Sequence, residues 1–194
     1  MNKLLYYALI VVLIFVYGCA SSSELTFEKG VEKIEEIDKK YNTTIKSPPD
    51  SIPEIQSLIA QLVGFEAVND IPESLSYLLD FRIKFLEAEM LNAQGWQWGR
   101  GSTTEWGFGC KKGYERITNS SKLRNASSLK GYEAIDVLKE FIDKFPDEAK
   151  SLNLGQKDVL VLNAEYFQIE EKAVKDARVV WKMCIANKED KKEE

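Results

Sequence analysis

Residues 95–110 read GWQWGRGSTTEWGFGC and hold three of the chain's four tryptophans and five of its eleven glycines. Trp96, Trp98 and Trp106 can form a platform on which sugar rings or peptide side chains stack, because an indole offers a large apolar face and an N–H donor. The glycines let the backbone bend and approach a ligand. Arg100 and Glu105 add polar contacts. The same residues also suit a plug, with the indoles filling the end of a bundle and the glycines making tight turns. The two readings are compatible, since a plug can leave one indole face in water.

The chain has no histidine. That excludes Ser–His–Asp and Cys–His catalysis, HExxH zinc sites and a histidine pH switch. The glycines do not spell a nucleotide cradle: Gly99, Gly101 and then Thr104 depart from G-x-G-x-x-G, as do Gly107, Gly109 and then Lys112. Neither a D-x-D-x-D-G loop nor a Cys/His set occurs, so no metal and no cofactor is expected. Carboxylates are the remaining catalytic groups. Asp80, Glu87, Glu89 and Glu105 lie on or beside one helix and the tryptophan segment. A glycan-cleaving enzyme keeps one carboxyl protonated in a dry pocket, often with a second nearby. Glu105 beside Trp106 is the candidate acid, and Glu87 the other candidate. Carboxylates on helices mostly belong to solvated faces, so a non-enzymatic role is expected first.

These side chains must be positioned by helices. With 194 residues, 44% hydrophobic and 29% charged, the chain suits one folded domain with a true core. Its net charge of −5, with lysines and acids interleaved, argues against a nucleic-acid partner. A first amphipathic helix is expected over about 23–41, with Phe27, Val31, Ile34, Ile37 and Tyr41 on one face. Ser51 and Glu54 have capping-box spacing before a second helix carrying Ile55, Leu58, Ile59, Leu62 and Val63. Asp70 and Glu73 repeat it before a third helix, 71–94, whose wide apolar arc suggests a central position. Residues 95–127, rich in Gly, Ser, Asn and Thr, read as a long loop. A fourth helix follows over about 128–145, closed by Pro146. A fifth runs over about 156–187, with Val159, Leu162, Tyr166, Ile169, Ala173, Ala177, Val180 and Cys184 at steps of three and four. The fold class expected is all-α: a single bundle of about five helices with a long Gly/Trp-rich loop.

The chain opens MNKLLYYALIVVLIFVYGC. A basic start at Lys3 precedes fourteen apolar residues, Leu4 to Tyr17, which suit a signal peptide better than a bilayer span of about twenty. Val16, Tyr17, Gly18 and Cys19 resemble the lipobox of prokaryotic lipoproteins, with Tyr17 in place of the usual small residue. The resemblance covers residues 1–22. It implies cleavage after residue 18, lipidation of Cys19 and a tether over 19–22; periodicity and composition, not the resemblance, place a helical domain over 23–187 and a charged tail over 188–194. The alternative is an uncleaved signal anchor. Either way the body lies outside the cytoplasm, held at a membrane.

If Cys19 carries lipid, Cys110 and Cys184 remain, and an even pair outside the cytoplasm reads as a disulfide. A loop of that length adds roughly 4 kcal/mol in the chain-entropy model. Two unpaired thiols are the alternative. Asn42, Asn119 and Asn125 begin N-x-S/T sequons in expected loops, which makes them glycosylation candidates.

Within residues 132–149, the spacing of Ala134, Leu138, Phe141 and Pro146 is similar to the second helix of a tetratricopeptide repeat. That implies an adaptor gripping another envelope protein, while a bundle helix ended by proline gives the same pattern. The role expected is binding or scaffolding at a cell envelope, towards a glycan or a protein partner. A carboxylate glycan hydrolase and a helical-repeat-like adaptor are the alternatives.

Overall fold

The computed structural model describes residues 25–99 and 110–189, and its architecture is all-α. Among the described residues there are six helices: α1 Phe27–Lys39, α2 Ile52–Val68, α3 Glu73–Gly99, α4 Cys110–Lys144, α5 Pro146–Ser151 and α6 Gln156–Glu189. The one not foreseen is α5, a short helix that Pro146 opens at a position where a missing amide proton costs nothing.

The α1 helix buries Phe27, Val31 and Ile34, as their spacing predicts, and Asp38 continues the buried stripe. It lies directly on α3: a Cβ added to Gly30 would stand 2.1 Å from Leu75 Cδ2. Neither expected capping box forms. Ser51 Oγ donates to Glu54 Oε2 at 2.7 Å and caps no amide. The ionised carboxylate is the stronger partner for the hydroxyl. At α3 the Pro72 carbonyl, and not Asp70, receives the first amides, those of Leu75 and Ser76. Central burial of α3 is as expected: Leu75, Leu78, Leu79, Phe81, Phe85 and Leu86 are all buried.

Residues 40–51 are held against α3 by Arg82. Its Nη1 donates to the Ile45 carbonyl at 3.0 Å, and its Nη2 to the Ser47 carbonyl at 3.1 Å. This lets a proline-rich linker lie on the core with its carbonyls satisfied.

The long loop expected over 95–127 is corrected. The α3 helix continues through Gly99 and α4 starts at Cys110, so residues 100–109 alone separate them. The small and polar residues that read as loop form the seam between helices. Ser120 Oγ donates to the Gly95 carbonyl at 2.7 Å, and Ser127 Oγ to the Ala88 carbonyl at 2.8 Å. These pairings run in opposite directions along α3 and α4, which are therefore antiparallel. On the other side of α4, Ser128 Oγ donates to the Tyr166 carbonyl at 3.1 Å. Gly131 faces the Tyr166 ring so closely that a Cβ would lie 2.5 Å from its carbons. Short side chains allow the backbones to approach, and each hydroxyl finds a carbonyl across the seam.

One hydrophobic core runs from Phe27 to Tyr166 and joins α1, α2, α3, α4 and the start of α6. Beyond it α3, α4 and α6 extend as a three-helix arm with a smaller interior: Gly95, Ile117, Ala173 and Val180, with Ser120 and Arg124 buried among them. Tyr166 meets Glu89, and Lys172 meets Trp96, so α3 and α6 run parallel on either side of α4.

Candidate functional site

The arm carries a groove of about 350 Å³ between α3 and α6. Glu89, Asn92 and Trp96 form one wall, spaced by three and four residues and so placed on one stripe of α3. Glu165, Gln168, Ile169 and Lys172 form the α6 wall, and Arg124 of α4 lies between them. The same 3.6-residue periodicity that buries Tyr166 and Ala173 puts Lys172 at the edge of the seam.

Trp96 is partly exposed, and two cations stand against its ring. The Arg124 guanidinium carbon is 4.8 Å from the ring centroid, and Lys172 Nζ is 4.4 Å from it. Each such contact stabilises by about 0.5–1 kcal/mol at an exposed site, and about 2 where water is excluded. Arg124 is buried, and its Nη1 donates to Asp176 Oδ2 at 2.9 Å. Its Nε is buried without a partner. The arginine stem fits because α3 has no side chain at Gly95, where a Cβ would meet Arg124 Cγ at 2.5 Å.

Deeper in the groove, the Tyr166 hydroxyl donates to Glu89 Oε1 at 3.1 Å. Burial pushes the Glu89 carboxyl above the ordinary carboxylate range; the Tyr166 hydrogen bond pulls it partly back, and the nearby Glu165 charge pushes it up again. Burial, then the Glu89 charge, drives the Tyr166 phenol far above its usual range. Asn92 Oδ1 is buried with no partner. The groove thus combines an indole face, a cationic rim, an amide and a carboxyl that holds its proton to higher pH than a surface acid.

The sequence candidates fall in several places. Trp96 and Trp98 stand on α3, partly exposed, and are not loop residues. Glu87 points away to α4, where it meets Lys130 Nζ at 3.2 Å. Lys130 also pairs with Glu133 at 3.0 Å, so Glu87 belongs to a surface ion pair. Cys19, Arg100, Glu105 and Trp106 lie outside the described residues, as do the side chains of Cys110 and Cys184. Asn42 is exposed in the turn after α1 with φ 58°, a conformation asparagine tolerates. Asn119 and Asn125 are corrected from loop to helix, since both lie within α4. Over 133–143 the outward positions of α4 are Glu133, Asp136, Glu140 and Asp143.

Sequence reasoning did not single out Arg124, Lys172, Asn92 or Glu165, and it placed Glu89 only among several helix carboxylates. Their signal is a polar residue interrupting a buried stripe: Arg124 beside Ser120, Ser127 and Ser128, and Glu89 one turn after Phe85.

Fold and groove together define the chain as an all-α bundle with an open cleft in a three-helix arm. Comparison with protein-family models, with curated proteins and with solved structures finds no match in any of the three. Among the described residues, no helix is long and apolar enough to cross a membrane, and no group of three or more His, Cys, Asp or Glu is placed to hold a metal ion.

Proposed function

We propose that this chain is a non-enzymatic binding module held at the outer face of a membrane by its N-terminal segment, lipidated at Cys19. Its ligand lies in the α3–α6 groove, against Trp96. The observation that supports this reading is the indole of Trp96 with Arg124 and Lys172 against its ring at 4.8 and 4.4 Å. An aromatic face suits a sugar ring or an apolar side chain, and the cations suit an acidic group on the same ligand. An envelope glycan bearing carboxylates, or an acidic segment of an envelope protein, meets both requirements. The test is tryptophan emission during titration with envelope glycans and acidic peptides. A saturable shift that disappears in Trp96→Ala supports the reading. No shift across the panel rejects it.

Glu89 favours a second reading, a glycan hydrolase. A carboxyl raised by burial, with Glu165 on the facing wall and an indole beside it, has the makings of a general acid with a second carboxylate. Release of new reducing ends from wall glycan, abolished in Glu89→Gln, is the expected signature. A wild-type chain that releases none removes this reading.

A further inference from the structure

The outer face of α6 carries a second feature, remote from the groove. Leu160, Phe167, Val174 and Trp181 recur every seven residues and are 69%, 60%, 44% and 53% exposed. A straight helix drifts about 20° per heptad, so the four side chains stay within an arc of ~60°. They are not core residues out of place: a separate face of α6, about a quarter-turn round the helix, buries Val159, Leu162, Tyr166, Ala173 and Val180 against the bundle. A row of large apolar side chains left exposed along one helix face, with nothing packed over it among the described residues, marks an association surface.

The charges along the seam select the partner. Glu170 and Glu171 lie on the N-terminal side of Val174, and Lys175, Arg178 and Lys182 on the C-terminal side, within the same surface depression. In two copies of α6 laid parallel, Glu171 and Arg178 of one copy lie across the seam from those of the other and form no opposite-charge pairs. Laid antiparallel about Val174, they set Glu171 of each copy near Arg178 of the other, and Phe167 near Trp181. A two-fold axis requires this kind of self-complementarity, in which each patch meets its own opposite end. The antiparallel arrangement alone brings these opposite charges together.

We propose that the protein forms an antiparallel homodimer through α6, with Phe167, Val174 and Trp181 in the seam and reciprocal Glu171–Arg178 pairs beside it. The test measures the mass of the full chain in detergent by sedimentation equilibrium, corrected for bound detergent. The unmodified protein is expected at twice its chain mass. Glu171→Arg or Arg178→Glu alone sets like charges together and is expected to raise the dissociation constant about tenfold or more. The two changes combined restore opposite charges and return the dimer. Both positions are exposed, so helix content by circular dichroism is expected to be unchanged. A single chain mass at every concentration overturns the proposal and leaves the stripe to a different partner or to lipid. So does a doubled mass indifferent to both single reversals, since association through the N-terminal anchors would behave that way.

Discussion

Arg82 Nη2 and Asp38 Oδ1 meet at 2.6 Å with both side chains removed from solvent, the most deeply buried ion pair among the described residues. Thr43 Oγ1 joins them, donating to Asp38 Oδ1 at 3.0 Å. Arg82 also reaches two loop carbonyls, so one guanidinium ties α3 to the end of α1 and to the linker between α1 and α2. Its Nε and Asp38 Oδ2 are buried with no partner. Desolvation works against the charge on Arg82, and Asp38 offsets it.

Breaking that pair from one side is expected to cost about 3–5 kcal/mol, because the survivor is left charged and unpaired. Arg82→Met and Asp38→Leu, each measured by denaturant unfolding, are the single changes. The double variant is expected to lose clearly less than the sum of the two. Strict additivity would mean that the residues do not act as a pair.

Glu89 ties stability to pH. With its folded pKa raised above the ordinary 4.5, the folded chain holds this proton where the unfolded chain has released it. The contribution is fully present below the unfolded value and is lost as pH rises through the folded one. Glu89→Gln stays neutral and removes this part of the slope. Between about pH 4 and about pH 8 its unfolding midpoint should therefore fall less than that of the wild type. Parallel profiles for the two proteins would contradict this.

Two helical glycines are expected to respond in opposite directions to alanine. Gly64 lies within α2 with open space around it, so Gly64→Ala is expected to stabilise by about 0.5–1 kcal/mol through backbone entropy. Gly131 lies against the Tyr166 ring, and Gly131→Ala must displace an aromatic side chain packed in the core, for a cost of about 1–3 kcal/mol. Thermal melting of the pair reads both signs in one experiment.

The proposed anchor and bridge have a direct readout. Intact mass of the protein taken from its own membranes is expected to begin at Cys19 with acyl chains added. On reduction it is expected to rise by two hydrogens, one for each of Cys110 and Cys184. A mass beginning at Met1 with no change on reduction would replace the lipoprotein reading with a signal anchor and free thiols.

Much of the fold is legible in the chain. The stripes of α1 and α6 announce themselves because burying one face of a helix imposes a 3.6-residue period, and Phe27, Val31 and Ile34, or Val159, Leu162 and Tyr166, obey it. Pro53 marks a helix start for the equally local reason that a first turn needs no amide proton there, whereas Pro146, read as closing a helix, also opens α5. The start of α4 was hidden. Ser120, Ser127, Ser128 and Asn125 have loop composition, and only α3 and α6, packed against them, turn small polar residues into a close seam whose hydroxyls are satisfied.

The groove lies further still from what sequence spacing reveals. Trp96 is conspicuous by type, but Arg124 and Lys172, the cations against its ring, stand on two other helices. Glu89 was one acid among many until Tyr166 and burial set it apart. The sequence alone determined an all-α chain and the inward faces of its helices, since periodicity and turn chemistry act between neighbours along the chain. Only the tertiary structure decided which polar residues share a cleft. Burial and charge pairing depend on distances through space, and here those distances are set by three helices crossing at a seam of small side chains.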